Sequence, residues 1–280
     1  MFNLLKMDMY RLAHSKLARI IMLFTVGLAI FSVMMTDTDI QYMQEDDSYI
    51  EEGTGERTVG IYVEADPEWA EGKVEIGSII SAEMRSEMLE ILCIIFVALF
   101  VSAEQKNGYI KNIAGQFPRR EMMIISKFIT IAVQVFLMVL LFSTAVTAAG
   151  FVMWGKAFYL GSVMQIVKYL GVQYLLHLGF ALLIMLFSIL TGSAAFSITC
   201  GILLCSGLAV PVYGLINRAV SDLQPGIDFD INHYSLDGNI TMMTIDSAGD
   251  MMVRGAVVGA VFAAVSVSIA MILMKKRDIR

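Results

Sequence analysis

Six long apolar runs dominate the chain, at 20–36, 88–103, 128–154, 168–190, 194–216 and 253–274, and polar residues crowd into the stretches between them. A helix needs about 20 mostly apolar residues to cross the hydrocarbon core of a bilayer, so each run is a candidate span. The second is the shortest and has Glu90 near its start; the helical pattern of 81–90 predicts that this span extends back through it. The third is long enough to tilt, or to project from the bilayer. Nineteen residues precede the first run, and Asp37 and Asp39 follow where a cleavage site would carry small residues, so it reads as a retained span. Ahead of it, Phe2, Leu5, Met9, Leu12 and Ala13 share one face at helical spacing, with Asn3, Arg11 and His14 opposite and Leu4 and Met7 off the pattern. Basic and amphipathic, residues 1–19 are expected to lie in the membrane interface.

Composition agrees with this reading. The chain is 57% hydrophobic and 16% charged, against about 45–50% and about 25% in soluble domains. A net charge of -6 excludes the basic footprint of a nucleic-acid binder. The charges are also sorted by side. Segments 1–19, 103–127 and 275–280 carry thirteen Lys/Arg and four Asp/Glu, whereas the alternate segments carry seven and twenty-two. The positive-inside rule then places both termini in the cytoplasm. Fifteen acids against three bases fall between Asp37 and Glu87, which is expected to form a large acidic external loop. Within it, Thr58–Val63 has the pattern of a strand. A second external loop is expected over 217–252.

Catalytic signatures are absent. No GxxxxGK[ST] phosphate loop occurs, so this chain does not hydrolyse nucleotide by that route and is not expected to be an enzyme. Neither HExxH nor a zinc-spaced Cys/His cluster occurs, and Cys93, Cys200 and Cys205 all fall inside predicted spans. Ser193 and His177 are sixteen residues apart, roughly 24 Å along one helix, which is too far for a serine–histidine dyad. Polar residues inside spans are expensive and therefore informative. Gln173 and His177 share a face of span four, with Gln134 of span three as a candidate partner. They form either a polar patch on a substrate path or an interhelical hydrogen bond. Gly255, Gly259 and Ala263 make a small-residue ridge suited to close helix packing, and Pro211 predicts a kink in span five.

The inner segment AEQKNGYIKNIAGQFPRREMMIISK carries the most specific signal. Ile110, Ile113, Ala114 and Phe117 make an apolar stripe at helical spacing, Pro118 ends it, and Arg119, Arg120 and Lys127 lead back to the membrane. An apolar ridge hanging below the bilayer can fill a groove in a soluble partner. In Glu104, Gly108, Ile110, Lys111, Arg120, Ser126 and Lys127, and in the opening KMDMYRLAHSK, the chain resembles the permease subunits of ABC type-2 transporters, bacterial exporters of drugs, peptides and polysaccharides. Tyr109 stands where threonine is usual, and Pro118 precedes Arg120 by two residues where three is commoner. The motif covers about 25 residues and the topology covers the chain.

The resemblance implies an all-α integral membrane protein of six transmembrane helices in one permease domain (1–280), with an N-terminal interfacial helix and a cytoplasmic coupling helix within 104–120. It implies a separate ATP-binding subunit that holds ATP and magnesium and docks on Glu104, Gly108, Ile110, Lys111, Ile113, Phe117, Arg119 and Arg120. Glu104 is expected to pair with Lys111 or to cap the segment. A second permease chain, identical or homologous, and the lipid of a bacterial plasma membrane are the other implied partners. The acidic outer loop suits an amphipathic peptide, antimicrobial or drug-like export substrate. The alternative is a non-transporting sensor or scaffold whose acidic loop binds a ligand.

Overall fold

The computed structural model describes residues 2–45, 67–106, 121–223 and 229–276, and its described residues are helical apart from short connections and one two-residue strand pair. Helix α1 (Phe2–His14) lies beside the bundle, and a break at Ser15 leads into α2 (Lys16–Glu45). A short turn of helix α3 (Pro67–Ala70) and strand β1 (Val74–Glu75) precede α4 (Ile76–Arg85) and α5 (Met88–Lys106). Helix α6 (Glu121–Trp154) leads to strand β2 (Phe158–Tyr159) and α7 (Val163–Thr191). Then follow α8 (Ala194–Cys205), α9 (Val210–Leu223), α10 (Leu236–Met242) and α11 (Gly249–Lys276).

Among the described residues four helices, α2, α6, α7 and α11, are long and apolar enough to cross a membrane. The pairs α4–α5 and α8–α9 pass the same test jointly but bend by 51° and 62°, so the count reaches six if each pair is one span. The protein is thus a helical, multi-pass membrane protein. The end of the bundle carrying α1 is called proximal below, and the end carrying the strands distal.

The first bend departs from the sequence expectation, and the second is the expected kink of span five at a shifted position. An unbroken helix through 81–90 was predicted, but Ser86 and Glu87 interrupt it, with Glu87 in the left-handed region at φ 64°. In span five the break falls at 206–209, where Gly207 adopts φ 70° and removes the Cβ penalty of that conformation. Pro211 lies just inside the first turn of α9, where its missing N–H costs nothing, so it starts a helix instead of kinking one. The span boundaries shift accordingly. The predicted outer loop begins as a continuation of α2 to Glu45 and ends as α4, and Thr58–Val63 lies outside the described residues.

The distal end is tied by β1 and β2, which pair in parallel with Val74 opposite Phe158. Trp69 is buried there and donates Nε1–H to Ser78 Oγ at 3.1 Å, while Trp154 donates to Asp37 at 2.7 Å. The tightest seam in the bundle joins α7 and α11. A Cβ on Gly259 would fall 2.6 Å from the Leu175 carbonyl oxygen, and one on Gly179 would fall 2.7 Å from the Gly259 carbonyl oxygen. Only hydrogen fits at either position, so the two backbones touch. Gly255 is buried on the same face, against Met243, and Ala263 is half-buried.

Helix α10 is too short to cross anything, yet Leu236 to Ile240 are all buried. Leu236 lies against Gly179, twelve residues or about 18 Å from the proximal end of α7. The element therefore dips from the distal end to about the middle of α7, sixteen residues from that helix's distal start. Irregular backbone at that depth survives only where protein satisfies its polar groups. Asn239 does so, donating Nδ2–H to the carbonyls of Asn232, His233 and Ser235 at 3.3, 3.0 and 2.7 Å. Arg85 Nε donates to the Thr241 carbonyl at 2.6 Å, and Gln173 Nε2 to that of Ile240 at 3.4 Å.

Candidate functional site: a charged clasp at the proximal end

Helix α1 turns a different face to the bundle from the one its apolar pattern predicts. Leu4, Asp8 and Leu12 are buried, one per turn, while Phe2 and Tyr10 are exposed. The apolar moment is set by the whole surroundings, lipid included, and so does not pick out the protein-facing side. Leu4, off the pattern in the sequence, lies at the centre of the contact, and Arg11 points inward with its side chain 29% exposed.

That inward turn closes an ionic network. Glu104, at the proximal end of α5, is ion-paired through one carboxylate oxygen with Arg11 and through the other with Lys127 of α6. Arg11 also donates to the Phe100 carbonyl at 3.1 Å and stacks over the Phe100 ring, 4.2 Å from its centroid. Ser126 donates its hydroxyl to Asp8 at 2.5 Å. The glutamate and lysine side chains are 1% and 3% exposed, so neither charge reaches water. Burying an ion costs several kcal/mol, and a buried pair holds only where the geometry is good and the remaining sites are filled. Here two acids and two bases balance, and one glutamate bridges both bases.

The placement of the clasp gives it a mechanical meaning. Glu104 lies just before segment 107–120 and Ser126 and Lys127 just after it, and α1 holds both roots together. Glu104 is thus a strut buried at the root of the segment, with its carboxylate engaged by Arg11 and Lys127. Gly108, Ile110, Lys111, Ile113, Phe117, Arg119 and Arg120 lie outside the described residues. Of the motif positions behind the family resemblance, Glu104, Ser126 and Lys127 meet in space, joined by Asp8 and Arg11 from the chain's opening. Asp8 and the inward Arg11 were missed in the sequence. The available signal was an acid on the same helical stripe as Leu4 and Leu12, a position where an acid needs a partner.

The second set of candidates lies deeper. Gln173 and His177 of α7 are fully buried, and His177 Nδ1 lies 2.8 Å from the Gln173 carbonyl oxygen. Gln173 Nε2 donates to the Tyr169 hydroxyl at 2.8 Å, and that hydroxyl donates to the Ser81 carbonyl of α4 at 3.3 Å. Gln134 is buried on α6. No hydrogen bond joins it to Gln173 or His177 among the described residues; Gln173 instead reaches α10. Nor do three or more His, Cys, Asp or Glu converge as metal ligands among the described residues.

A buried carboxylate also bridges α2 and α4. Ser32 and Thr36, one turn apart on α2, donate to the two oxygens of Glu83, the bond from Thr36 measuring 2.7 Å. Compared with known proteins, the chain matches no protein-family model and no curated protein at a significant level.

Proposed function

We propose that the protein is the permease subunit of an ATP-driven transporter of the ABC type-2 kind, with ATP hydrolysed on a separate subunit. The observation that carries the reading is the clasp: α1 is tied by charge to both roots of segment 107–120, the place where the resemblance puts a coupling helix. In this mechanism closure of the ATP-binding subunit pushes on that segment. The clasp passes the push to α1, α5 and α6 as one unit, because Glu104 cannot leave Lys127 without exposing a bare buried charge. The spans then rock to open a path for an amphipathic peptide, antimicrobial or drug-like substrate. Two permease chains, identical or homologous, complete the pore in a bacterial plasma membrane, with both termini in the cytoplasm.

The test is a mild-detergent pulldown of the tagged chain from its own membranes, with masses and ATPase activity measured on the eluate. A stoichiometric P-loop protein is expected, and Ile113→Ala with Phe117→Ala is expected to reduce its retention at least tenfold while the permease stays folded. A folded, ATPase-free preparation would overturn the proposal in favour of a sensor or scaffold. Unchanged retention in the double variant would remove segment 107–120 from the contact.

A further inference from the structure

Two hydrogen-bond acceptors on the inner face of α7 have no donor among the described residues. His177 Nδ1 faces a carbonyl oxygen, which can only accept, so Nδ1 carries the ring proton and Nε2 presents a bare lone pair in the neutral ring. Gln173 is oriented by the same logic. Its Nε2 faces the Ile240 carbonyl, which leaves Oε1 as the free end of the amide. Both Nε2 of His177 and Oε1 of Gln173 are buried and unpartnered among the described residues. One turn apart on one helix, they are neighbours on its surface. Leaving such groups unpaired in an apolar surround is costly, so a donor brought by a ligand would be stabilised there.

The surroundings select the donor. Among the described residues of the distal half, the buried acids are Glu83, Glu87, Glu90 and Asp237 and the half-buried bases are Arg85 and Arg254, a net negative count however these groups pair with one another. Four acids against two bases favour a cation in that half, and two neutral acceptors favour one bearing N–H groups. We propose that Gln173 Oε1 and His177 Nε2 seat a primary ammonium group of the transported molecule. This rests on the permease reading for its physiological meaning, and it narrows the substrate class to amphipaths carrying a primary amine. Helix α10 covers the seat on one side, since its Ile240 carbonyl already occupies the Gln173 amide nitrogen. A withdrawal of α10 would free the whole side chain.

The experiment is nitrogen NMR on the full chain in detergent micelles, labelled at its three histidines, with the His177 signal assigned by its loss in His177→Phe. The probes are n-hexylammonium and n-hexyltrimethylammonium, which share charge and tail but differ in N–H donors. The expected result is a saturable shift of His177 Nε2 with hexylammonium, at least tenfold weaker with the trimethylated probe, while His14 and His233 do not follow. Absence of a shift, or equal shifts with both probes, would overturn the proposal. Both probes are compared on the unsubstituted chain, and His177→Phe serves only to assign the signal, with the unshifted His14 and His233 signals in that variant as the check that it is folded. Nor does the measurement use an ATPase: a selective shift without a co-purifying ATPase would keep the seat and sink only the permease reading, and the reverse would sink only the seat.

Discussion

The α7–α11 seam and the α1–α5–α6 clasp do the same job by opposite means. The seam joins two helices by removing side chains, so that a carbonyl at Leu175 meets the backbone of Gly259 with no room for a methyl group. The clasp joins three helices by burying two acids and a lysine and half-burying an arginine. Shape complementarity of the first kind is graded and local, because each added carbon costs according to the space it meets. Charge complementarity of the second kind is all-or-none, because removing one partner leaves the others unpaired in a poor dielectric. A membrane protein that must hold one part rigid and transmit force through another has reason to use both.

The comparison breaks most sharply at Glu104. Glu104→Ala strands Lys127, and should cost about 3–5 kcal/mol, read as a lower midpoint in SDS titration of the folded protein. Replacing both Glu104 and Lys127 by Met should cost less than that single change, since no bare buried charge remains in the pair and Arg11 can turn to water. A double variant as damaged as the single one would mean that the network contributes direct bonds and not charge balance. Gly259→Val comes next, at about 1–3 kcal/mol for forcing methyl groups against a backbone, read by the same titration. The smallest effect is expected at Ala263→Val on the half-buried edge of the same ridge, under about 1 kcal/mol. Equal losses at 259 and 263 would show that the seam is not as sharply localised as the geometry has it.

Legibility from sequence followed the range of the physics. The apolar runs were readable because the bilayer demands about 20 apolar residues wherever a helix crosses, and four of the six correspond to single long helices. The ridge at Gly255 and Gly259 was readable because one helix carries the whole pattern. The bend at Ser86–Glu87 was not, since the left-handed turn at Glu87 has no glycine to announce it, while the kink expected in span five is present but falls at Gly207, just before Pro211. Nor was the position of α10, whose burial depends on Gly179 of another helix making room for Leu236.

By itself, then, the sequence determined the helical class, the approximate spans, the missing phosphate loop and the sorting of charge along the chain, all properties that one segment can express alone. Tertiary structure decided which charges meet. Helical spacing put Arg11 opposite the apolar face of an amphipathic helix and offered Glu104 a pair with Lys111, which lies outside the described residues, or a capping role. Folding brought Arg11 to Glu104 across 93 positions and Lys127 to the same carboxylate across 23. The physical reason is that helical periodicity tells a side chain which of its neighbours share a face, whereas Coulomb attraction in a low dielectric acts between whatever charges packing brings close.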